Sequence, residues 1–166
     1  MKKYIYGLLL VLFTFSSCEP KVEPTKFSVE ALNDLFLTTN DTKIKFQDIL
    51  DNHKGKTIII DIWASWCGDC LKSLPKVKSL QAQYPKADFV FLSLDKKMST
   101  WKKAIEKYNI KGDHYYMQSG WKGAFGTFLN LDWIPRYLVV NKNQEILIFK
   151  AVTADNKNIQ TALSSQ

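Results

Sequence analysis

Histidine and cysteine are scarce in this 166-residue chain, which has two of the former and three of the latter. A structural zinc site needs about four ligands, and a pair of cysteines separated by two residues supplies only two of them. Cys67 and Cys70 form such a pair, but no second pair follows. The histidines, His53 and His114, lie far apart in sequence without the spacing of ligands. We therefore expect no bound metal.

Long hydrophobic runs are also missing. The longest apolar stretch covers the twelve residues from Tyr4 to Phe15, and a transmembrane helix needs about 20. Lys2 and Lys3 precede this stretch and two serines follow it, which is the layout of a secretory signal. We expect residues 1–17 to be a signal peptide and the mature chain to be exported.

Cys18 follows the two serines directly, an arrangement that resembles the lipobox of bacterial lipoproteins. That resemblance implies lipidation of Cys18, although Phe15 stands where leucine is commonest, and an ordinary signal peptide is the alternative. Three cysteines in an exported protein leave one without a partner, and acylation of Cys18 would remove it. Residues 18–29 contain Pro20 and Pro24 and are predicted to be an extended tether, followed by one domain over residues 30–166.

The positive charge is modest and dispersed. The formal net charge is +7, and without the two lysines of the predicted signal peptide 21 basic residues face 16 acidic ones. Nucleic-acid binding would require a concentrated basic stripe with stacking aromatic residues, and export argues against it as well. We expect no nucleic-acid partner, whereas a loose attraction to an anionic membrane remains open.

The order of predicted elements indicates one α/β domain. A composition of 46% hydrophobic and 23% charged residues suits a single globular unit with a real core. An α/β sandwich with a mixed sheet is predicted by the order strand, helix, strand, helix, hairpin and helix. The predicted elements are a hairpin (36–46), a helical turn (46–50), a strand (57–63), a helix (67–85), a strand (87–95), a helix capped by Ser99 (99–109), a short edge segment (114–118), a short helix (123–130), two strands (136–141 and 145–150) and a helix (154–163).

The segment DIWASWCGDCLKSLP, residues 61–75, carries the strongest functional signal. A disulfide between Cys67 and Cys70 closes almost no loop, so it would stabilise the fold little. As a reagent the pair is well placed, because a helix N-terminus lowers the pKa of a thiol and Cys70 lies one helical turn further on. A strand leading into this spacing and then a helix indicates a redox pair.

With its proline-containing helix, this segment resembles the thioredoxin fold. Three further features resemble the exported, membrane-tethered TlpA/ResA-type branch of that fold: the leading hairpin, the helix after Ser99 and the sequence WIPRYLVVN. The resemblance implies a three-layer α/β/α sandwich with a mixed central sheet and an N-terminal β-hairpin extension. It implies a thiol-disulfide oxidoreductase without a cofactor. Cys67 would attack and Cys70 would resolve. Trp66, Ile134 and Pro135 would bind substrate, the last two through a cis peptide bond.

Asp61 interrupts the apolar strand and matches the buried carboxylate of thioredoxin. Burial should raise its pKa, which suits a group that takes a proton from Cys70, although a hydrogen bond to nearby backbone is an alternative role. Thioredoxin pairs this acid with a lysine, whereas the corresponding position here is Phe91. Asp69 replaces the proline of the commonest motif and should make the thiolate less stable, which favours a reductase.

The sequence thus predicts a lipid-anchored, periplasm-facing reductase of envelope proteins that needs a membrane electron donor. A thiol oxidase and a tethered binding module without catalysis are the alternatives. A peroxiredoxin is disfavoured, because Ile60 and Ala64 stand where its motif has proline and threonine or serine. Several aromatic residues could rim a substrate groove: Trp63, Trp66, Tyr115, Tyr116, Trp121, Phe125, Phe128 and Trp133. An exposed role is expected for Trp66, and core packing for most of the others.

Overall fold

The computed structural model describes residues 22–165. The predicted signal peptide and Cys18 lie outside this range. Within it, no helix combines the length and the apolar character needed to cross a membrane.

Seven strands form one mixed sheet in the order β2-β1-β5-β4-β3-β6-β7. The strands are β1 Leu35–Thr38, β2 Lys43–Lys45, β3 Ile58–Trp63, β4 Asp88–Ser93, β5 Asp113–Tyr116, β6 Arg136–Val140 and β7 Ile146–Ala151. The helices are α1 Val29–Asn33, α2 Phe46–Asn52, α3 Gly68–Gln83, α4 Met98–Tyr108, α5 Ala124–Phe128 and α6 Lys157–Ser164, with a 3-10 turn at Gly120–Lys122. The α/β fold and the N-terminal hairpin are confirmed.

Strand β3 lies in the middle of the sheet, and all six of its residues are buried. It pairs in parallel with β4 and antiparallel with β6. A continuous run of β-branched residues suits this position, because side chains on both faces of a central strand lie in the core. The strand ends at Trp63, so the chain leaves the sheet just before the two cysteines.

Two local expectations are wrong. The segment predicted at an edge is β5, which lies between β1 and β4 inside the sheet. Helix α4 begins at Met98 with Lys97 as its N-cap and no side-chain cap, so Ser99 lies in the first turn instead of capping it. For β5, the long-range pairing with β1 and β4 sets where the strand lies, and local residue preference does not.

The packed part of the chain reaches into the predicted tether. The amide of Ile146 donates to the carbonyl of Thr25 over 2.8 Å. The ring of Phe27 lies 4.9 Å from that of Phe46, which in turn lies 4.4 Å from that of Phe125. These aromatic contacts fix the N-terminal segment, α2 and α5 to one another, so the chain is ordered by packing from Thr25 onward.

Helix α3 runs without interruption from Gly68 to Gln83 and contains Pro75. Its buried face consists of Cys70, Ser73, Leu74, Val77 and Leu80. The predicted helix after the cysteines is therefore confirmed. It fixes Cys70 in the core and leaves Cys67 at its N-terminal end.

Candidate active site

Cys67 and Cys70 form a disulfide at the start of α3. Cys67 is the N-cap residue, and its Sγ accepts a hydrogen bond from the backbone N–H of Cys70 over 3.1 Å. Amide groups at a helix N-terminus favour negative charge, so the same geometry stabilises a Cys67 thiolate once the disulfide is reduced. Cys67 is 7% exposed and Cys70 3%. Of the two sulfurs, that of Cys67 is therefore the one nearer to solvent.

The Ile134–Pro135 peptide bond is cis, as the resemblance implies. The segment lies just before β6, and the carbonyl oxygen of Ile134 is 3.6 Å from Cys67 Sγ. A disulfide sulfur carries no hydrogen, so this approach is a contact in the oxidised protein, and the Cys67 thiol could donate to the oxygen after reduction. The backbone of Ile134 thus lies directly beside the attacking position.

Asp61 lies in β3 and is buried. Burial raises the pKa of its carboxyl to about 8, because water that would solvate the anion is excluded. Its register partners are Phe91 on β4 and Tyr137 on β6, so no cation stands opposite it on either strand. Among the described residues, Asp61 Oδ1 has no hydrogen-bond partner. The carboxyl is therefore held mainly in its protonated form at neutral pH.

Tyr137 connects this region to α3. Its hydroxyl is 2.7 Å from the Oγ of Ser73, and both side chains are buried. Burial and the charge of Asp61 raise the pKa of Tyr137, so the phenol stays protonated and can donate to Ser73. The hydrogen bond links β6 to the helix that carries both cysteines.

A cavity of about 310 Å³ adjoins the disulfide. Its walls include Trp66, Trp133, Asp69 and Asp132. Trp66 is 53% exposed, as expected from its place beside Cys67. Trp133 is 55% exposed, so it is one of the aromatic residues that do not pack in the core. With Trp121, three tryptophan side chains therefore line the opening beside the reactive sulfur.

One buried carboxylate at the site escaped sequence analysis. Asp95 Oδ2 accepts hydrogen bonds from the backbone N–H of Ser65 over 3.0 Å and from Ser93 Oγ over 2.8 Å, and Oδ1 accepts from Ser65 Oγ. These bonds fix the loop between β3 and Cys67. The only signal in the sequence is a polar residue following a buried strand, which is too common a pattern to single out Asp95.

The described residues offer no group of three or more histidine, cysteine, aspartate or glutamate side chains that could hold a metal. His53 Nδ1 lies 2.9 Å from Asp88 Oδ2, near the N-terminal ends of the parallel strands and away from the cysteines. The ring of His114 stacks on Phe91, and its Nε2 lies 3.0 Å from a backbone carbonyl oxygen. The contacts of both histidines are therefore typical of residues that stabilise the fold.

Comparisons with known proteins agree with this geometry. Residues 55–146 match a family model described as thioredoxin-like. Thioredoxin-1 of Saccharomyces cerevisiae is 39% identical over 42 residues, which cover 25% of this chain and 41% of that protein. The thiol-disulfide oxidoreductase ResA of Bacillus cereus is 25% identical over 54% of this chain and 50% of its own length. The chain spans about half the length of the curated relatives it matches.

Among solved structures, a Bacteroides vulgatus protein assigned as a thiol-disulfide oxidoreductase superposes with a TM-score of 0.65. It is 26% identical, and the match covers 79% of this chain and 84% of that one. The family model spans more than half of the sequence and includes β3, both cysteines, α3 and the cis-proline segment. The chain therefore belongs to the thioredoxin-like family.

Proposed function

We propose that this protein is a thiol-disulfide oxidoreductase that reduces disulfides of exported proteins. The observation that carries the proposal is the Cys67–Cys70 disulfide at the N-terminus of α3, with Cys67 Sγ beside the Ile134 carbonyl. A structural role explains the pair poorly, because a disulfide across two residues restricts the unfolded chain very little. Membership of the thioredoxin-like family supports the same reaction.

The reaction begins with the reduced protein. The Cys67 thiolate attacks one sulfur of the substrate disulfide, the substrate S–S bond breaks, and the departing sulfur takes up a proton. A mixed disulfide now joins Cys67 to the substrate. The Cys70 thiolate then attacks Cys67 Sγ, which releases the second substrate sulfur as a thiol and closes the Cys67–Cys70 disulfide. Two electrons and two protons pass to the substrate.

Asp61 is proposed to accept the proton of Cys70 in the second step. With a pKa of about 8, roughly one molecule in ten carries the ionised carboxylate at pH 7. This ionised form can act as a base, while the protonated form can return a proton in the reverse reaction. Resolution of the mixed disulfide should therefore become faster as the pH rises toward 8.

Trp66 and the cis Ile134–Pro135 segment are proposed to bind the substrate. The exposed indole of Trp66 offers apolar contact beside the sulfur. The backbone at Ile134 can pair with an extended polypeptide, because strand addition uses main-chain hydrogen bonds. Both features hold the substrate disulfide next to Cys67 Sγ.

The cell envelope is the proposed location, with Cys18 as the lipid anchor and a membrane protein as the electron donor. The signal-like residues 1–17 and the cysteine that follows them support this part of the proposal. Mass spectrometry of the mature protein tests it directly. A lipidated Cys18 at the N-terminus is expected, and an unmodified first residue other than Cys18 would contradict the anchor.

Trapping of the mixed disulfide tests the activity. Reduced Cys70→Ser protein should accumulate a covalent adduct with a disulfide-containing protein through Cys67, whereas Cys67→Ser should form none. Non-reducing electrophoresis and peptide mapping give the readout. Absence of the adduct, together with no disulfide reduction by the wild-type dithiol, would leave a binding module of thioredoxin-like fold as the better account.

A further inference from the structure

A second cleft adjoins the cavity at Cys67 and shares Trp66 with it. Its volume is about 640 Å³, and it lies between the loop that leads to Cys67 and the loop between β4 and α4. Trp66 and Trp121 line both this cleft and the cavity at Cys67. The two openings are therefore neighbours that share aromatic walls. We call the second one the lysine cleft, lined by Trp66, Lys96, Lys97, Thr100 and Trp121.

The lysine cleft carries positive charge without a partner. Lys96 and Lys97 are exposed, and no ion pair within residues 22–165 includes either ammonium group. Asp95 also lines the cleft, but it is only 5% exposed, and its oxygens accept hydrogen bonds from Ser65 and Ser93. Its charge offsets part of the field, but its carboxylate is already engaged. The two ammonium groups remain free to bind an anion.

The cavity at Cys67 is lined by acidic groups. Asp69 is 57% exposed and lies 3.5 Å from the ammonium of Lys72, while Asp132 is 63% exposed and pairs with the buried guanidinium of Arg136 over 2.7 Å. Both carboxylates already have cationic partners. The unbalanced charge around the reactive sulfur therefore lies in the lysine cleft.

We propose that the lysine cleft is a docking subsite for the substrate polypeptide and selects substrates with an acidic side chain close to the cysteine being reduced. This inference rests on the proposed oxidoreductase function. The indoles of Trp66 and Trp121 contact the apolar part of the polypeptide, and the ammonium groups of Lys96 and Lys97 pair with its carboxylate. Because Trp66 adjoins Cys67, an extended chain places that carboxylate within about four residues of its cysteine.

The expected preference is moderate. Exposed ion pairs contribute about 0.2–1 kcal/mol each, so two of them change a rate constant by about two- to thirtyfold, with three- to tenfold as the central range. Salt should weaken the preference, since the Debye length falls from about 10 Å at 0.1 M to 3 Å at 1 M. The net positive charge of the whole chain also favours acidic peptides, so a control must separate local from global attraction.

Three synthetic peptides provide the probe, each with one cysteine in a mixed disulfide with the same small uncharged thiol. The residues within four positions of that cysteine are aspartate, asparagine or lysine. The second-order rate constant for reduction by the dithiol protein is measured for each peptide. The aspartate peptide should react about three- to tenfold faster than the lysine peptide, and 1 M salt should reduce this ratio.

A double substitution supplies the local test. Lys96→Gln with Lys97→Gln should bring the ratio close to one, apart from the residual effect of global charge. Lys54→Gln with Lys56→Gln removes the same charge at exposed positions before β3, at the opposite end of that strand from Cys67, and should preserve the ratio. The docking proposal would be overturned if the wild type reduced the aspartate and lysine peptides at equal rates, or if both double variants lost the aspartate-to-lysine ratio equally. The oxidoreductase activity would stand in either case.

Failure of the function itself has a separate signature. The wild-type dithiol would then reduce neither the peptides nor a small uncharged disulfide. Binding of serine analogues of the peptides, followed by tryptophan fluorescence, would decide the docking question in that case. Binding of the aspartate analogue that weakens only when Lys96 and Lys97 are replaced supports the cleft, and binding that is absent or insensitive to them overturns it.

Discussion

Replacement of Asp61 by asparagine should change how stability depends on pH. The pKa of the carboxyl is about 8 in the folded protein and 3.8 as its reference value. Well below pH 3.8 both the folded and the unfolded chain hold the proton, so ionisation of Asp61 does not change the free energy of unfolding. Between pH 4 and 8 only the unfolded chain ionises, and the free energy of unfolding should fall by about 1.4 kcal/mol per pH unit. Above pH 8 this loss is complete.

From pH 5 to pH 7 the loss attributable to Asp61 is about 3 kcal/mol. Other titrating groups change the stability of the wild type and of Asp61→Asn alike, so the difference between the two proteins isolates this carboxyl. Asp61→Asn should therefore gain about 3 kcal/mol relative to the wild type over this interval. Asparagine is nearly isosteric and keeps a polar side chain, which makes it a closer comparison than alanine.

The assay is urea unfolding of both oxidised proteins at pH 5 and pH 7, with the transition followed by circular dichroism. Equal m-values are required, since they show that the unfolded states expose the same surface. The difference in the free energy of unfolding between the two proteins is compared at pH 5 and pH 7. If it changes by less than about 1 kcal/mol, burial does not raise the pKa of Asp61 as described.

Three further substitutions test other parts of the account. Asp69→Asn should raise the reduction potential of the cysteine pair by about 5–20 mV, measured in thiol buffers, because an exposed negative charge is worth about 0.2–1 kcal/mol; a lower potential would contradict it. Gly112→Ala should lower the free energy of unfolding in urea by at least 2 kcal/mol, since φ is +131° and a Cβ would lie 2.5 Å from a carbonyl oxygen of β4. The control Gly55→Ala places no Cβ within 4 Å of another atom and should lower it by about 1 kcal/mol. Equal losses in the two variants would contradict this prediction. Asp132→Asn should lower stability by about 1–3 kcal/mol, because the guanidinium of Arg136 stays buried without its carboxylate, and an unchanged urea midpoint would show that the pair adds nothing.

Local sequence patterns predicted the elements that depend on few partners. The run from Ile58 to Trp63 identified the central strand because each β-branched residue there suits burial on both faces. The cysteine spacing and the following periodicity placed the start of α3 correctly. The same pattern identified Asp61 as a candidate site residue, since a carboxylate inside such an apolar run is unusual and indicates a function.

Features that depend on contacts between distant parts of the chain could not be predicted from the sequence. The place of β5 inside the sheet depends on β1, which is about 75 residues earlier in the chain, and a four-residue strand carries no signal of its neighbours. Phe27 fell within the tether predicted over residues 18–29, because its packing against Phe46 and Phe128 depends on rings far along the chain. The sequence did not single out Trp133 as exposed, since composition alone does not reveal which indoles lie beside a reactive sulfur.

Asp95 and the lysine cleft show the same limit at the site. Asp95 acts on the loop before Cys67 through contacts with Ser65, 30 positions earlier. Lys96 and Lys97 follow β4 and meet the site only because β4 pairs in parallel with β3, which brings the ends of both strands together. Spatial neighbours of this kind require the fold.

The central claim is that Cys67 and Cys70 form a reversible redox couple that donates electrons. Its most direct test is the reduction potential of the pair, obtained by equilibration of the protein in graded thiol buffers and quantification of free thiols. We expect a value near that of thioredoxin, about −270 mV, or lower. A value near −120 mV would reverse the direction of electron flow, and the absence of any reversible couple would contradict the claim altogether.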